Sequence, residues 1–97
     1  MDQIDKLQTQ ITELIKARDF LLNQTPSDMV AVAALTEKII DLTRRLAASI
    51  GSLGPIPTLK PGEVAALQDA VRSLALAVQR SAAASQIVEA ATKLANA

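Results

Sequence analysis

The residues best placed to do chemistry are two carboxylates, Glu37 and Asp41, which lie one helical turn apart in a stretch predicted to be helical. Paired carboxylates take part in the di-metal sites of helical bundles, which also take a histidine from each of two helices. The sequence contains no histidine. Lys38 and Arg45 are close enough in sequence to neutralise both acids. We therefore expect a salt-bridged surface here and no metal site.

Three arginines are candidates for binding an acidic partner or ligand. Arg44 and Arg45, with Lys38 nearby, form the only basic cluster of the chain, and guanidinium groups bind phosphates and carboxylates well. Arg18 is the single charged residue in an otherwise apolar row of the first predicted helix. Either it sets the register or binds a partner, or its stem packs near the turn while its guanidinium reaches Asp28 or solvent. We favour the second interpretation.

Catalytic side chains are scarce in this sequence. Its 97 residues include no cysteine and no histidine, so thiolate chemistry, the commonest general base and the commonest metal ligand are excluded. The stretch Gly51-Ser52-Leu53-Gly54 lacks both the Gly-x-Ser-x-Gly spacing of a serine elbow and the Gly-Lys-Ser/Thr ending of a phosphate loop. We expect a non-enzymatic protein with no catalytic residue, no metal and no cofactor.

Charge and aromatic content argue against nucleic-acid binding. Ten basic residues balance ten acidic ones, whereas nucleic-acid binders carry a basic excess. Phe20 is the only aromatic residue, so stacking of single-stranded bases is largely excluded. The longest apolar run, residues 29–35, is too short to span a bilayer. We expect a cytoplasmic protein that binds no nucleic acid and does not insert stably into membranes.

Two apolar rows with alternating steps of three and four residues predict two helices, about 3–24 and about 26–50, with coiled-coil-like seams. We predict that Thr25 caps the second helix, with Pro26 in its first turn and Asp28 adding negative charge there. Folding the helices back about this turn places residues whose numbers sum to 50 side by side. The first row comprises Ile4, Leu7, Ile11, Leu14, Arg18 and Leu21, and the second Met29, Val32, Thr36, Ile39, Thr43, Leu46 and Ile50.

A second apolar set on the second helix must be covered by the rest of the chain or by another copy of it. A Gly- and Pro-rich linker over about 51–62 leads to a helical stretch over about 62–95, whose direction is open. We favour one long or gently bent helix that overhangs the hairpin. The alternative is a break around Ser81–Ser85, with Ser85 capping a fourth helix. The second apolar set comprises Leu35, Ile40, Leu42 and Ala47.

These patterns predict a single all-α domain over residues 1–97: an antiparallel helical hairpin plus one long or broken C-terminal helix, in a three- to four-helix bundle completed by oligomerisation. We expect an adaptor, scaffold or inhibitor that acts through protein–protein contacts, as a homo-oligomer with a further protein partner. Two alternatives are an amphipathic binder of lipid or hydrophobic polymer surfaces, and a helical oligomer that binds a small anionic ligand. The candidate interface residues are Arg18, Leu35, Leu42, Arg44, Arg45, Val71, Leu74, Val78, Ile87 and Leu94.

Short stretches of the chain resemble two known families. The segment from Leu7 to Glu13, the Pro26-Ser27-Asp28 turn and the alanine-rich second helix look like the helical hairpin of type III secretion needle subunits, which implies a hairpin fold. This chain continues well past the hairpin, where those subunits end. Its composition is similar to that of phasins, which coat hydrophobic polymer granules. Neither resemblance assigns a family.

Overall fold

The computed structural model describes residues 1–52 and 54–97; Leu53, within the predicted Gly- and Pro-rich linker, lies outside them. The described residues form four helices and no strand longer than a single bridge. These helices are α1 (Gln3–Leu22), α2 (Met29–Ile50), α3 (Pro61–Gln79) and α4 (Ala84–Ala95). The all-α class, the antiparallel hairpin and the bundle are thereby confirmed.

The first helix begins at a reciprocal cap between two aspartates. The Asp5 backbone N–H donates to Asp2 Oδ1 at 2.8 Å, and the Asp2 N–H donates to Asp5 Oδ2 at 3.3 Å. These bonds satisfy amide groups that have no partner inside the helix, and the two carboxylates complement the positive end of its dipole.

The turn between α1 and α2 lies where the sequence predicts it, but the predicted cap is wrong. Asp28 rather than Thr25 caps α2, accepting the Ala31 N–H at 3.0 Å, and Pro26 precedes the helix. The Ser27 hydroxyl donates to the Leu22 carbonyl at 2.8 Å and so satisfies the end of α1. Asp is at least as good a cap as Thr, and the residues before it are needed to complete the turn.

The linker between α2 and α3 returns to the start of the chain. The Gln3 N–H donates to the Pro57 carbonyl at 3.1 Å, and the Leu59 N–H donates to the Met1 carbonyl at 3.0 Å. Leu59 is buried there. The linker therefore stays at the open end of the hairpin, and α3 begins beside the N-terminus of α1.

The direction of the last two helices follows from this starting point. Leu74 and Val78 of α3 line one groove with Glu13 and Ala17 of α1, so α3 runs parallel to α1. The end of α4 lies beside the first half of α1, and α4 is therefore antiparallel to it. α1 and α4 each pack against all three other helices, whereas α2 and α3 make no contact with each other among the described residues. These two helices therefore occupy opposite corners of the bundle.

The favoured single helix over residues 62–95 is wrong: the chain breaks between Arg80 and Ala83. Ser81 adopts the left-handed conformation, with φ 53°. Its N–H donates to the Val78 carbonyl at 3.0 Å, and the Ala82 N–H donates to the Ala77 carbonyl at 2.9 Å. This is the Schellman arrangement, which usually has glycine at the left-handed position. Ser85 lies within α4 and does not cap it.

The core lies between the four helices, and it contains Leu7, Leu14 and Leu21 of the first predicted seam with Val32 and Ile39 of the second. Met29, Thr43 and Ile50 lie on the surface, whereas Ala31 is buried. Two more helices pack on the hairpin, so the buried face of α2 extends beyond the predicted seam to Ala31, Leu35 and Leu42. The largest buried apolar side chains are Leu7, Leu14, Leu21, Leu35, Leu42, Leu67, Leu74, Ile87 and Leu94.

Candidate functional site

The feature best suited to binding is the solvent-facing side of α2, which the neighbouring helices leave uncovered. We call it the outer α2 face. Its apolar side chains include Met29, 60% exposed, Val30, 82% exposed, and Ile40, 47% exposed. The face comprises Met29, Val30, Ala33, Glu37, Ile40, Arg44 and Ala47, all of them exposed.

Helix geometry divides the second apolar set of α2 between two faces. Leu35 and Leu42 are seven residues apart and enter the core, where both are buried. Ile40 and Ala47 are also seven residues apart, but each lies five residues beyond its leucine, a rotation of about 140° around the helix. These two side chains therefore point to solvent. The sequence predicts that the rest of the chain or a second copy covers this set. Within the chain, only Leu35 and Leu42 are covered.

Two charges on the outer α2 face have no ion-pair partner among the described residues. Glu37 and Arg44 lie seven residues apart and form no ion pair there. Beside them, Arg45 Nη2 lies 2.9 Å from Asp41 Oδ2. The predicted salt-bridged face thus forms at Asp41 and Arg45, and it leaves the other two charges available to a partner.

Most of the aliphatic interface candidates pack inside the chain itself. Because they pack in the core of the folded chain, a second molecule cannot contact the buried ones. Leu35, Leu42, Leu74, Ile87 and Leu94 are buried, and Val71 and Val78 are half-buried against them.

Arg18 lies on the flank of α1 and is 28% exposed in its side chain. Its Nε is 3.8 Å from Asp19 Oδ1, and this buried nitrogen donates no hydrogen bond within the described residues. Asp28, one of the two predicted destinations of the guanidinium, caps α2 instead. Arg44 belongs to the opposite end of the hairpin, so the fold does not gather the arginines at one anion site.

A shallow groove between α2 and α4 is the nearest thing to a ligand pocket beside the basic cluster. Its volume is about 190 Å³, and Lys38, Asp41, Arg45 and Asn96 are among its lining residues. Pockets for drug-sized ligands usually enclose about 300–1,000 Å³. Because Asp41 already neutralises Arg45, the groove offers little net charge to a small anion.

Gln10 is a buried polar residue that lies outside the apolar row predicted for the first helix. It is only 2% exposed, and its Nε2 donates to the Leu94 carbonyl at 2.9 Å. Its Oε1 has no hydrogen-bond partner within the described residues. Gln10 is three residues after the buried Leu7 and so lies on the same side of α1. Its burial shows that the buried face of α1 is wider than packing against α2 alone would require. The bond ties α1 to the end of α4.

Three further features could indicate a site: clusters of acidic side chains, membrane-spanning helices and similarity to known proteins. Within residues 1–52 and 54–97, no three acidic side chains cluster as metal ligands would. None of the helices in this part of the chain combines the length and the apolar character needed to cross a membrane. Comparison with protein-family models, curated proteins and solved structures finds no match. The candidate site therefore depends on the outer α2 face alone.

Proposed function

We propose that this chain is a non-enzymatic binding and assembly protein that acts through protein–protein contacts on the outer α2 face. The observation that carries the proposal is the exposure of Met29, Val30 and Ile40 on one side of a helix whose opposite side forms the core. Exposed apolar side chains grouped on one helix face mark interaction sites more often than isolated exposed residues do.

The composition of the face supports a protein partner over a lipid surface. A membrane-binding helix carries Lys or Arg along its polar flank and large apolar or aromatic residues on its other side. Here Glu37 lies within the face and Asp41 beside it, whereas Arg44 is the only basic residue of the face. The Glu37 carboxylate would oppose anionic headgroups, while an opposite charge on a protein partner would complement it.

Site-specific photocrosslinking tests this proposal. Benzoylphenylalanine replaces Ile40 in the full chain, expressed in cells that naturally contain the protein. The control places the same group at Leu76, which is 51% exposed on α3. We expect irradiation to give a covalent protein adduct from position 40 and none from position 76, identified by gel shift and mass spectrometry.

Two outcomes would contradict the proposed function. Equal adducts from both positions would show that exposure alone explains the reaction. A lipid adduct from position 40, without a protein adduct, would favour the lipid-binding alternative.

A further inference from the structure

We infer that the occupant of the outer α2 face is a second copy of this chain, whose α2 lies antiparallel to the first. This inference rests on the proposed function and adds the identity and orientation of the partner. It follows from the arrangement of charge and side-chain size on α2.

Six residues of the outer α2 face form two parallel rows with seven-residue spacing, and Met29 lies at the N-terminal end of the face. One row is apolar and contains Ala33, Ile40 and Ala47. The other contains Val30, Glu37 and Arg44. Seven residues are close to two full turns, so each row forms a nearly straight line along the helix, as in coiled-coil helices.

An antiparallel pair makes the two rows complementary to themselves. With Ile40 on the two-fold axis, each Ala33 faces Ala47 of the second copy. On the flank, Glu37 of each chain then faces Arg44 of the other, which forms two symmetric ion pairs. A C2 interface requires this self-complementarity, because both copies present the same patch. A parallel pair would place the charged rows of the two copies on opposite flanks of the interface, where neither ion pair could form.

Side-chain size fits the same arrangement. Small alanines on both sides of the axis let the two helices approach closely, and the larger Ile40 fills the centre. Glu37 and Arg44 are also the charges of this face that have no ion-pair partner among the described residues. The antiparallel dimer gives each of them a partner without disturbing the Asp41–Arg45 pair.

Sedimentation equilibrium of the full chain over a broad micromolar range tests the charge complementarity. We expect a species of twice the 10.2 kDa of one chain. Glu37→Arg should raise the dimer Kd at least about tenfold, because both symmetric pairs become repulsive. The double variant Glu37→Arg/Arg44→Glu should restore the original Kd, because it exchanges the two charges. Glu89→Arg, the same change at an exposed position of α4, should leave the Kd unchanged.

Disulfide trapping tests the orientation, since the chain has no cysteine of its own. Ala33→Cys and Ala47→Cys chains are mixed and oxidised. We expect a mixed disulfide dimer, and no disulfide dimer from either variant alone. In the antiparallel pair, two copies of position 33 lie about 21 Å apart, too far for a disulfide. Circular dichroism confirms that each variant is folded.

A monomer throughout the concentration range would overturn this inference, and so would a Kd that Glu37→Arg leaves unchanged. Disulfide dimers formed by each cysteine variant alone would show a parallel pair and would also overturn it. The photocrosslinking experiment separates this failure from failure of the proposed function. An adduct from position 40 that contains only a different protein supports the function and excludes the self-association.

Discussion

The bundle contains two helical hairpins, α1–α2 and α3–α4, which differ in how their helix N-termini are capped and in how well their helix lengths match. In the first hairpin, Asp2 and Asp28 cap both helix N-termini with side-chain hydrogen bonds. In the second, neither Lys60 nor Ala83 makes such a bond at the N-cap position. The helices of the first hairpin are also better matched, with 20 and 22 residues against 19 and 12.

This difference shows which half of the molecule depends on the other. A helix of 12 residues without a capping side chain is marginal in water, so α4 needs tertiary contacts to persist. Its three buried apolar residues, Ile87, Ala91 and Leu94, supply part of that support. The bond from Gln10 to the Leu94 carbonyl supplies a further contact from the first hairpin. The stability of α4 therefore depends on contacts from the first hairpin as well as on its packing against α3.

The largest expected effect comes from breaking this link with Gln10→Glu. A carboxylate would replace the buried amide donor beside the carbonyl end of α4, where negative charge is unfavourable. We expect a loss of about 3 kcal/mol in the free energy of unfolding at neutral pH, because an unpaired buried charge is costly. Urea denaturation followed by circular dichroism measures this loss, and hydrogen exchange should show the amides of α4 losing protection first.

Two further variants control this prediction. Gln10→Met keeps the size of the side chain and also removes the unpaired Oε1, so we expect a change below about 1 kcal/mol. Gln8→Glu makes the same chemical change at an exposed position of α1 and should cost less than about 0.5 kcal/mol. Equal losses for Gln8→Glu and Gln10→Glu would contradict the burial of Gln10 against α4.

Removing a capping side chain from the first hairpin, or adding one to the second, should reduce the difference in N-terminal capping between them. Asp28→Ala removes the acceptor for the Ala31 N–H and should cost about 1 kcal/mol, while Asp28→Asn keeps an oxygen there and should cost little. Ala83→Asp places a carboxylate at the N-cap of α4 and should stabilise the protein by about 0.5–1 kcal/mol. Chemical denaturation measures all three. A destabilising Ala83→Asp would contradict the assignment of Ala83 as an N-cap.

The smallest effect concerns the turn of the second hairpin. Ser81→Gly relieves the left-handed conformation of Ser81 and should stabilise the protein by about 0.5–1 kcal/mol. Ser73→Gly, within α3, should instead destabilise it by about 0.5 kcal/mol. Opposite signs for the same substitution, seen as shifts in the thermal midpoint, would confirm the turn. A destabilising Ser81→Gly would contradict it.

The candidate site could be predicted from the sequence only in part. Periodicity correctly showed that α2 carries more apolar surface than one partner helix can cover, and Ile40 is an exposed part of that surface. It could not show that Leu35 and Leu42 would be buried, because that depends on where α4 packs. The sequence also could not show that Glu37 and Arg44 have no ion-pair partner among the described residues, since it offers each of them several possible partners.

The sequence by itself determined the all-α class, the hairpin and its turn, because helical periodicity and turn residues act over only a few positions. Only the tertiary structure decided the break after Arg80, the burial of Gln10 and the exposed side of α2. No glycine or proline marks that break, and Ser81 adopts its strained conformation only because the packing of Ile87 and Leu94 requires α4 to fold back. Which face a helix buries depends on the helices that pack against it, and in this bundle the packing of α4 determines part of the buried faces of α1 and α2.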